Sequence, residues 1–375
     1  MTTVRVLAPY FTPAVNGGGP IRTLDALTRT APEGLDIEVL TSDRDLGCAE
    51  RLPVPHGTVR DGRRRIRYLD VRGIAGIGRL ARAVRRPVYD VLYLNSVFDA
   101  RFAVLPLALR RGGLMPTCTF LVAPRGEFDP GALTVKSTKK RVFLAAARWA
   151  GVFRGLVWHA STQLEAEHIR RVVGPDAVVV VRENETDLPV RALREPVPEP
   201  EPLRVVTIGR ISPKKRLHLL IEALGSVDAP VHLTVIGPDD DAHYARRCRT
   251  IAAGLPPSAT VVFRGALPHD EVMRQLAACH AMVTATAGEN FGHTIAEALS
   301  AGRPVLLPDT TPWSGRVRAG AGEVVADDEW PTVLTRWARA PRAVLTERAS
   351  RAADAYDRWR DEGRAPHVFE LLLGG

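Results

Sequence analysis

Short apolar runs recur along the chain between helical segments, and each run predicts a buried strand. In the first half the predicted strands are Val4–Tyr10, Ile37–Ser42, Ile66–Val71, Val91–Ser96, Cys118–Ala123, Gly155–Ala160 and Val178–Arg182. In the second half they are Arg204–Ile208, Val231–Ile236, Thr260–Phe263, Met282–Thr286, Pro304–Pro308 and Gly322–Ala326. Because helical patterns separate most of these strands, we predict an α/β protein built from doubly wound parallel sheets.

A segment rich in Pro and Glu, 192–203, separates the two series of strands and has no apolar periodicity. This composition is typical of an extended linker. We therefore predict one domain over residues 1–191 and a second over 204–352, followed by a C-terminal helix or tail over 353–375. A chain of 375 residues is long enough for two separate cores.

Composition supports a globular protein, with 45% apolar and 25% charged residues. No apolar run reaches the roughly 18 residues that span a bilayer. The N-terminal residues lead directly into a strand pattern with no signal-peptide features, so we expect a cytoplasmic protein. The four cysteines are far apart in sequence and indicate neither a zinc site nor a disulfide framework.

The net charge of +9 includes two dense basic runs, Arg60–Tyr68 and Lys136–Arg141. Such runs attract nucleic acid, anionic lipid or phosphorylated substrates. We interpret the first run as a solvated loop. The second begins a basic and then apolar helix over 136–149, which is either a peripheral contact with the inner face of a membrane or an ordinary helix packed on the sheet.

The segment Met282–Asp309 carries the most specific chemistry, because it predicts a strand, a loop, a helix and a second strand of a parallel sheet. Ligands bind where such strands end. Gly292 lets the loop expose backbone amides at the start of the helix, which favours a diphosphate. Glu289 and Glu297 are suited to accepting hydrogen bonds from sugar hydroxyls. The ligand this combination indicates is a sugar nucleotide.

Two cations are predicted to converge on the same edge of the second sheet. Arg210 follows the strand Arg204–Ile208, and Lys215 stands at the entry of the next helix. Fixed positive charges there would hold a diphosphate and offset the charge that develops on it as it leaves. The aspartates of 239–241 precede a helix, so we interpret them as N-terminal caps and not as a metal site.

The string G-E-N-F-G-H-T-I-A-E-A-L-S-A-G-R-P-V, residues 288–305, resembles the signature of retaining glycosyltransferases of family four, group 1. The resemblance implies the GT-B fold, in which two Rossmann-like domains face a central cleft and the C-terminal segment crosses back to the first domain. It also implies transfer of a sugar from a nucleotide-diphosphate-sugar to an acceptor hydroxyl, without a cofactor or a metal.

The resemblance assigns roles to residues that match the family pattern. The catalytic candidates it implies are Arg210, Lys215 and Glu289. The donor-binding candidates are Glu297 for the ribose, Arg264 for the base, the backbone of Phe291, Gly292, His293 and Thr294 for the diphosphate, and the glycine loop with Gly18 and Gly19.

The first domain departs from the family where many members carry a histidine, because Arg125 and Glu127 stand there instead. The P-R-G string resembles exopolysaccharide-type members, and a secondary-metabolite role is equally open. We interpret Arg125 and Glu127 either as acceptor-side residues or as a pair that braces the loop.

Other functions are also compatible with the sequence. The alternatives are another GT-B enzyme, such as a sugar-nucleotide epimerase or a phosphorylase, and a basic module that binds nucleic acid. No aromatic and basic recognition motif supports the second, so we expect no nucleic-acid partner. The acceptor is left open among a glycan, a lipid carrier and a small metabolite.

Overall fold

The chain forms two compact α/β units. The computed structural model describes all residues except 1, 56, 87, 135–136, 363–365 and 375. One unit comprises residues 1–187 with 365–375, and the other comprises residues 188–364. Each unit contains its own sheet and its own apolar core. The predicted fold class is confirmed.

Within the described residues, the sheet of the N-terminal unit has eight strands in the order β3-β4-β2-β1-β5-β6-β7-β8. The strands are β1 Thr2–Leu7, β2 Leu35–Ser42, β3 Thr58–Asp61, β4 Arg64–Leu69, β5 Val91–Leu94, β6 Thr119–Val122, β7 Val157–Ala160 and β8 Val178–Val181. Strand β3 pairs with β4 in the antiparallel direction, and the other neighbours are parallel.

Helices cover both faces of this sheet. They are α1 Gly19–Arg29, α2 Gly73–Arg85, α3 Leu105–Arg111, α4 Pro130–Thr134, α5 Ser137–Trp149, α6 Gln163–Val173 and, from the end of the chain, α14 Val368–Leu373. One core contains apolar residues of α1 and α14. The other contains Leu80 of α2, Leu107 of α3 and Leu144 of α5. The sheet is therefore doubly wound, and helix α14 completes one of its two layers.

The basic run Arg60–Tyr68 is not a solvated loop, so that interpretation is wrong. Most of it lies in strands β3 and β4, and Arg64 is buried. Arg64 pairs with Asp61 and, at 2.8 Å, with Asp25, while Arg65 pairs with Asp36 at 2.5 Å. Asp25 lies on α1 and Asp36 on β2, which are distant in sequence, so the run alone does not reveal these two partners.

The sequence pattern predicts a helix from near Gly78 to Arg85, whereas helix α2 begins at Gly73. The glycines lower helix propensity, and for that reason the sequence pattern underestimates the helix. A side chain at Gly76 would lie 2.4 Å from the backbone carbon of Val71. The close packing of this turn on Val71 therefore requires glycine.

Among the described residues, the sheet of the C-terminal unit has six parallel strands in the order β11-β10-β9-β12-β13-β14. The strands are β9 Leu203–Ile208, β10 Val231–Ile236, β11 Ala259–Gly265, β12 Ala281–Val283, β13 Val305–Leu307 and β14 Gly322–Val324. The helices are α7 Leu217–Leu224, α8 Ala242–Ala253, α9 His269–Ala277, α10 His293–Ser300, α11 Ser314–Arg316, α12 Trp330–Ala338 and α13 Arg342–Glu362.

The segment 192–203 lies along the C-terminal unit instead of extending freely. The amide of Leu193 donates to the carbonyl of Ser300 at 2.7 Å, and Val197 is buried in the core. The buried Arg303 guanidinium donates to the carbonyls of Glu195 and Pro196 at 3.2 and 3.0 Å. The two units are divided before this segment, between residues 187 and 188.

Substituting Phe369 by Ala should lower the free energy of unfolding of the N-terminal unit by about 3–5 kcal/mol, because it empties a fully buried aromatic site. The ring packs edge-on against Tyr93 with a centroid separation of 5.9 Å. Hydrogen exchange of the β1 and β5 amides measures the change. Leu373→Ala, at an exposed position of the same helix, is the control and should change little. Equal effects of the two substitutions would contradict the packing described here.

Candidate functional site

Two glycines at the carboxyl ends of neighbouring strands form the base of the site in the C-terminal unit. Gly209 follows β9 and Gly237 follows β10, with φ of 152° and 146°. A side-chain carbon on Gly237 would lie 2.0 Å from the Gly209 carbonyl oxygen. The two backbones are therefore in direct contact, and Arg210 is the first residue with a side chain after Gly209.

Lys215 and Glu289 form an ion pair above Gly209. The Lys215 ammonium contacts Oε1 of Glu289, and both side chains are largely buried. The amide of Ala287 donates to the Lys214 carbonyl at 2.9 Å, which ties the loop after β12 to the turn before α7. Arg216, at φ 49°, donates to the Ala285 carbonyl at 2.6 Å. These contacts fix the two backbone segments that carry Lys215 and Glu289.

Arg210 and Lys215 line one small cavity together with Thr207, Ile211 and Thr284. The Arg210 guanidinium is more than half exposed and lies 3.1 Å from Asp240 Oδ1. Asp241 caps helix α8 by accepting from the Tyr244 amide at 2.9 Å, as its position predicts. The structure therefore brings both predicted cations to one cavity, where each already has a carboxylate partner.

Helix α10 begins beside this pair. Gly292 precedes it with φ 84°, and a side chain there would lie 2.9 Å from Ile295 and 3.1 Å from Trp313. His293 and Thr294 are its first two residues, and the first-turn amides of a helix favour an anion. The Phe291 side chain is buried against Trp313, so only its backbone is suited to ligand contact.

Glu297 lies about one turn into α10 and is only 3% exposed. Its Oε1 atom is 3.8 Å from Nδ1 of His269, the first residue of α9. No sequence pattern pointed to this histidine. Arg264, predicted near the base, is exposed and lies near the end of the edge strand β11.

Arg125 is held in a polar network at the carboxyl edge of the N-terminal sheet. Its backbone adopts φ 53°, which is uncommon for a side chain of this size. The guanidinium donates to Asn95 Oδ1 at 2.9 Å, to the Tyr93 hydroxyl at 2.6 Å and to Asn184 Oδ1. These contacts fix the guanidinium in one orientation.

Glu127 braces a separate loop. Its carboxylate accepts from the Ser96 hydroxyl at 2.8 Å and from the amides of Val97 and Phe98 at 2.6 and 3.3 Å. Burial raises the pKa of Glu127, and these hydrogen bonds partly offset the shift. The two side chains therefore brace the edge through different partners instead of through a mutual ion pair.

His159 extends the Arg125 network into the core. Its Nε2 lies 2.9 Å from the Arg182 carbonyl, which can only accept, so Nδ1 accepts from the Tyr93 hydroxyl at 2.9 Å. Burial, together with the nearby Arg125 charge, lowers the pKa of His159 from 6.5 to about 3. The imidazole is therefore neutral at physiological pH.

The glycine loop of the N-terminal unit leads into α1. Gly18, with φ 70°, precedes the helix and Gly19 is its first residue. The loop is fixed by Asp45, which accepts from the amides of Val15 and Asn16 at 2.8 and 3.1 Å. Gly18 and Gly19 are thus held in a defined backbone conformation.

Comparison with known proteins agrees with this architecture. Residues 191–351 match the family model "Glycosyl transferases group 1". The matched segment contains Arg210, Lys215, Glu289 and Glu297. No curated protein matches the chain.

The chain has the GT-B fold. Anabaena Alr3699/HepE, solved in complex with UDP and glucose, is similar with a TM-score of 0.72 at 16% identity over 100% of both chains. Sucrose-phosphate synthase from Thermosynechococcus elongatus is similar with a TM-score of 0.72 at 15% identity, also over 100% of both. WaaG, a glycosyltransferase involved in lipopolysaccharide biosynthesis, reaches 0.57 at 15% identity over 97% of this chain and 100% of its own.

The residues missed in the N-terminal unit lie where predicted strands end. Tyr93 and Asn95 are at the end of β5, His159 is near the end of β7 and Asn184 follows β8. The rule that functional polar residues collect at such ends points to all four. Glu165 of helix α6 accepts from the Gly126 amide at 2.7 Å and so contacts the same loop from a helix.

The substitution His159→Gln should flatten the acid dependence of stability of the N-terminal unit. Folding lowers the pKa of His159. The stability that the neutral imidazole contributes is therefore complete above about pH 6.5 and is lost as the pH falls toward 3. The stability difference between wild type and variant should shrink by roughly 2 kcal/mol from pH 6.5 to 5. Hydrogen exchange of β7 amides measures it. A constant difference would show that His159 is not the neutral, buried group described.

Proposed function

We propose that the chain is a retaining glycosyltransferase that moves a sugar from a nucleotide-diphosphate-sugar to an acceptor hydroxyl. The observation that carries the proposal is the Lys215–Glu289 ion pair beside Arg210 and the start of α10. It places positive charge for a diphosphate next to a carboxylate for sugar hydroxyls. The group 1 match and the GT-B fold support the same activity.

The bound diphosphate would replace the carboxylates that the two cations contact in the free protein. Lys215 would turn from Glu289 to the phosphate, and Arg210 would leave Asp240. Glu289 would then accept hydrogen bonds from the sugar, so a carboxylate and a phosphate never compete for one cation in the bound state. The α10 amides add the helix dipole, and this set of charges stabilises the leaving group without requiring a metal.

Retention would follow from attack on the face that the leaving group occupies. The bond between the anomeric carbon and the phosphate oxygen breaks, and a bond from that carbon to the acceptor oxygen forms. The acceptor proton passes to the departing phosphate oxygen, so the step needs no separate protein base. Arg210 and Lys215 would carry the charge that develops on the diphosphate.

The remaining candidates bind the two substrates. We assign Glu297 to the ribose hydroxyls, Arg264 to the edge of the base, and the loop of Gly18 and Gly19 to the donor. Arg125 presents a fixed cation to the acceptor, and Glu127 holds its loop. The acceptor is a glycan, a lipid carrier or a small metabolite. Such an enzyme would act in the cytoplasm.

Replacing Lys215 with Ala should reduce turnover by about 10²–10³-fold, because it removes one preorganised partner of the leaving diphosphate. Steady-state kinetics with the identified donor measures the loss. The control is Lys214→Ala at the adjacent exposed position, which should retain near wild-type turnover. Unchanged turnover in Lys215→Ala would remove this lysine from the proposed mechanism.

Adding nucleoside diphosphates of uridine, guanosine and adenosine should raise the melting temperature for one base only, since a ligand of the folded state stabilises it. Lys215→Ala should weaken that shift.

Analysis of the product by NMR then separates the alternatives. Retained anomeric configuration supports the proposal, whereas donor conversion without acceptor indicates an epimerase and dependence on free phosphate indicates a phosphorylase.

A further inference from the structure

Most of the net positive charge is concentrated in one part of the N-terminal unit. Residues 100–156 contain ten Lys and Arg but only two acidic residues, a net charge of +8 against +9 for the whole chain. The two acids are Glu127, which is buried under backbone amides, and Asp129, which accepts from the Gly131 amide. Glu127 interacts electrostatically with Lys140 of α5, but two acidic residues leave most of the positive charge of this segment unbalanced within it.

Helix α5 combines this charge with exposed apolar side chains. Trp149 is 92% exposed and Val142 is 64% exposed, two turns apart on the outer side of the helix. Lys139, Arg141 and Arg148 are exposed around them, and within the part of the chain that the structure describes they form no ion pair. The inner side of α5 packs on the core through Leu144 and Ala147. Of the predicted segment 136–149, Lys136 lies outside the described residues, and the Ser137 side chain is not described.

The exposed side of α5 continues onto α2 and α3. The ends of these helices are joined by two hydrogen bonds, from Arg85 to the Leu114 carbonyl at 3.0 Å and from Arg111 to the Ala150 carbonyl at 2.6 Å. The C-terminal ends of α2 and α3 therefore adjoin the end of α5, and together with the exposed side of α5 they form one surface, which we call the basic helical face.

We infer that the basic helical face binds an anionic lipid surface, with Trp149 and Val142 at the boundary between headgroups and acyl chains. Lys and Arg near a bilayer are attracted to anionic lipids, and Trp is favoured at that boundary. Among the described helices, none is long and apolar enough to cross a membrane. The proposed contact depends on both charge and the exposed apolar side chains.

Lipid explains this surface better than nucleic acid does. Basic residues serve both partners, but the aliphatic side chain of Val142 neither stacks on bases nor forms hydrogen bonds with them. A bilayer surface accommodates cations and aliphatic side chains together. The inference concerns a surface distinct from the candidate donor site, so it does not depend on the proposed activity.

The test is sedimentation of the full chain with vesicles of phosphatidylcholine, alone or with about a third phosphatidylglycerol. We expect binding only to the anionic vesicles, and a loss of about tenfold or more in affinity for the double variant Lys139→Glu and Arg148→Glu. The control double variant, Arg246→Glu and Arg358→Glu, makes the same change in net charge at exposed positions of the C-terminal unit. It should bind like wild type.

A second readout tests the placement of Trp149. Lipids brominated in their acyl chains should quench part of the tryptophan fluorescence in wild type, and this quenching should be lost in Trp149→Phe. The inference is overturned if anionic vesicles fail to bind, if both double variants lose affinity equally, or if Trp149→Phe is quenched like wild type. Retention of an RNA oligonucleotide without vesicle binding would also overturn it and favour a nucleic-acid partner.

Discussion

The contact between the backbones of Gly209 and Gly237 is the constraint on which the candidate site depends. With no side chain at either position, the ends of β9 and β10 approach closely, and Lys215 lies over Gly209 with Cε 3.2 Å from where a side-chain carbon would be. A larger residue at Gly237 would push the two strand ends apart. Arg210 and Lys215 would then no longer share one cavity.

The two sheets use their carboxyl edges in different ways. In the C-terminal unit, the cations Arg210 and Lys215 contact carboxylates that a diphosphate can replace, so the resting contacts neutralise charge and remain exchangeable. In the N-terminal unit, the Arg125 guanidinium donates hydrogen bonds to neutral partners, Asn95, Tyr93 and Asn184. That arrangement keeps a full positive charge oriented, at the cost of an unusual backbone angle at Arg125.

Local sequence predicted the elements of both units well, since apolar runs and glycine stops are local signals. It also predicted that Arg210 and Lys215 converge, because one follows strand β9 and the other stands just before helix α7. Contacts between distant segments were not predictable in this way. The acidic partners of Arg64 and the path from Arg125 to His159 depend on which strands become neighbours, and strand order is not written in any local pattern.

The placement of α14 affects how the chain folds as it is synthesised. Residues 188–364 are an insertion between two segments of the same unit, and Val368 and Phe369 are fully buried there. Domains generally fold in order from the N-terminus during synthesis. Here the unit made first lacks part of its core until residues 188–364 have been synthesised, so its apolar surface over α1 stays uncovered during that time.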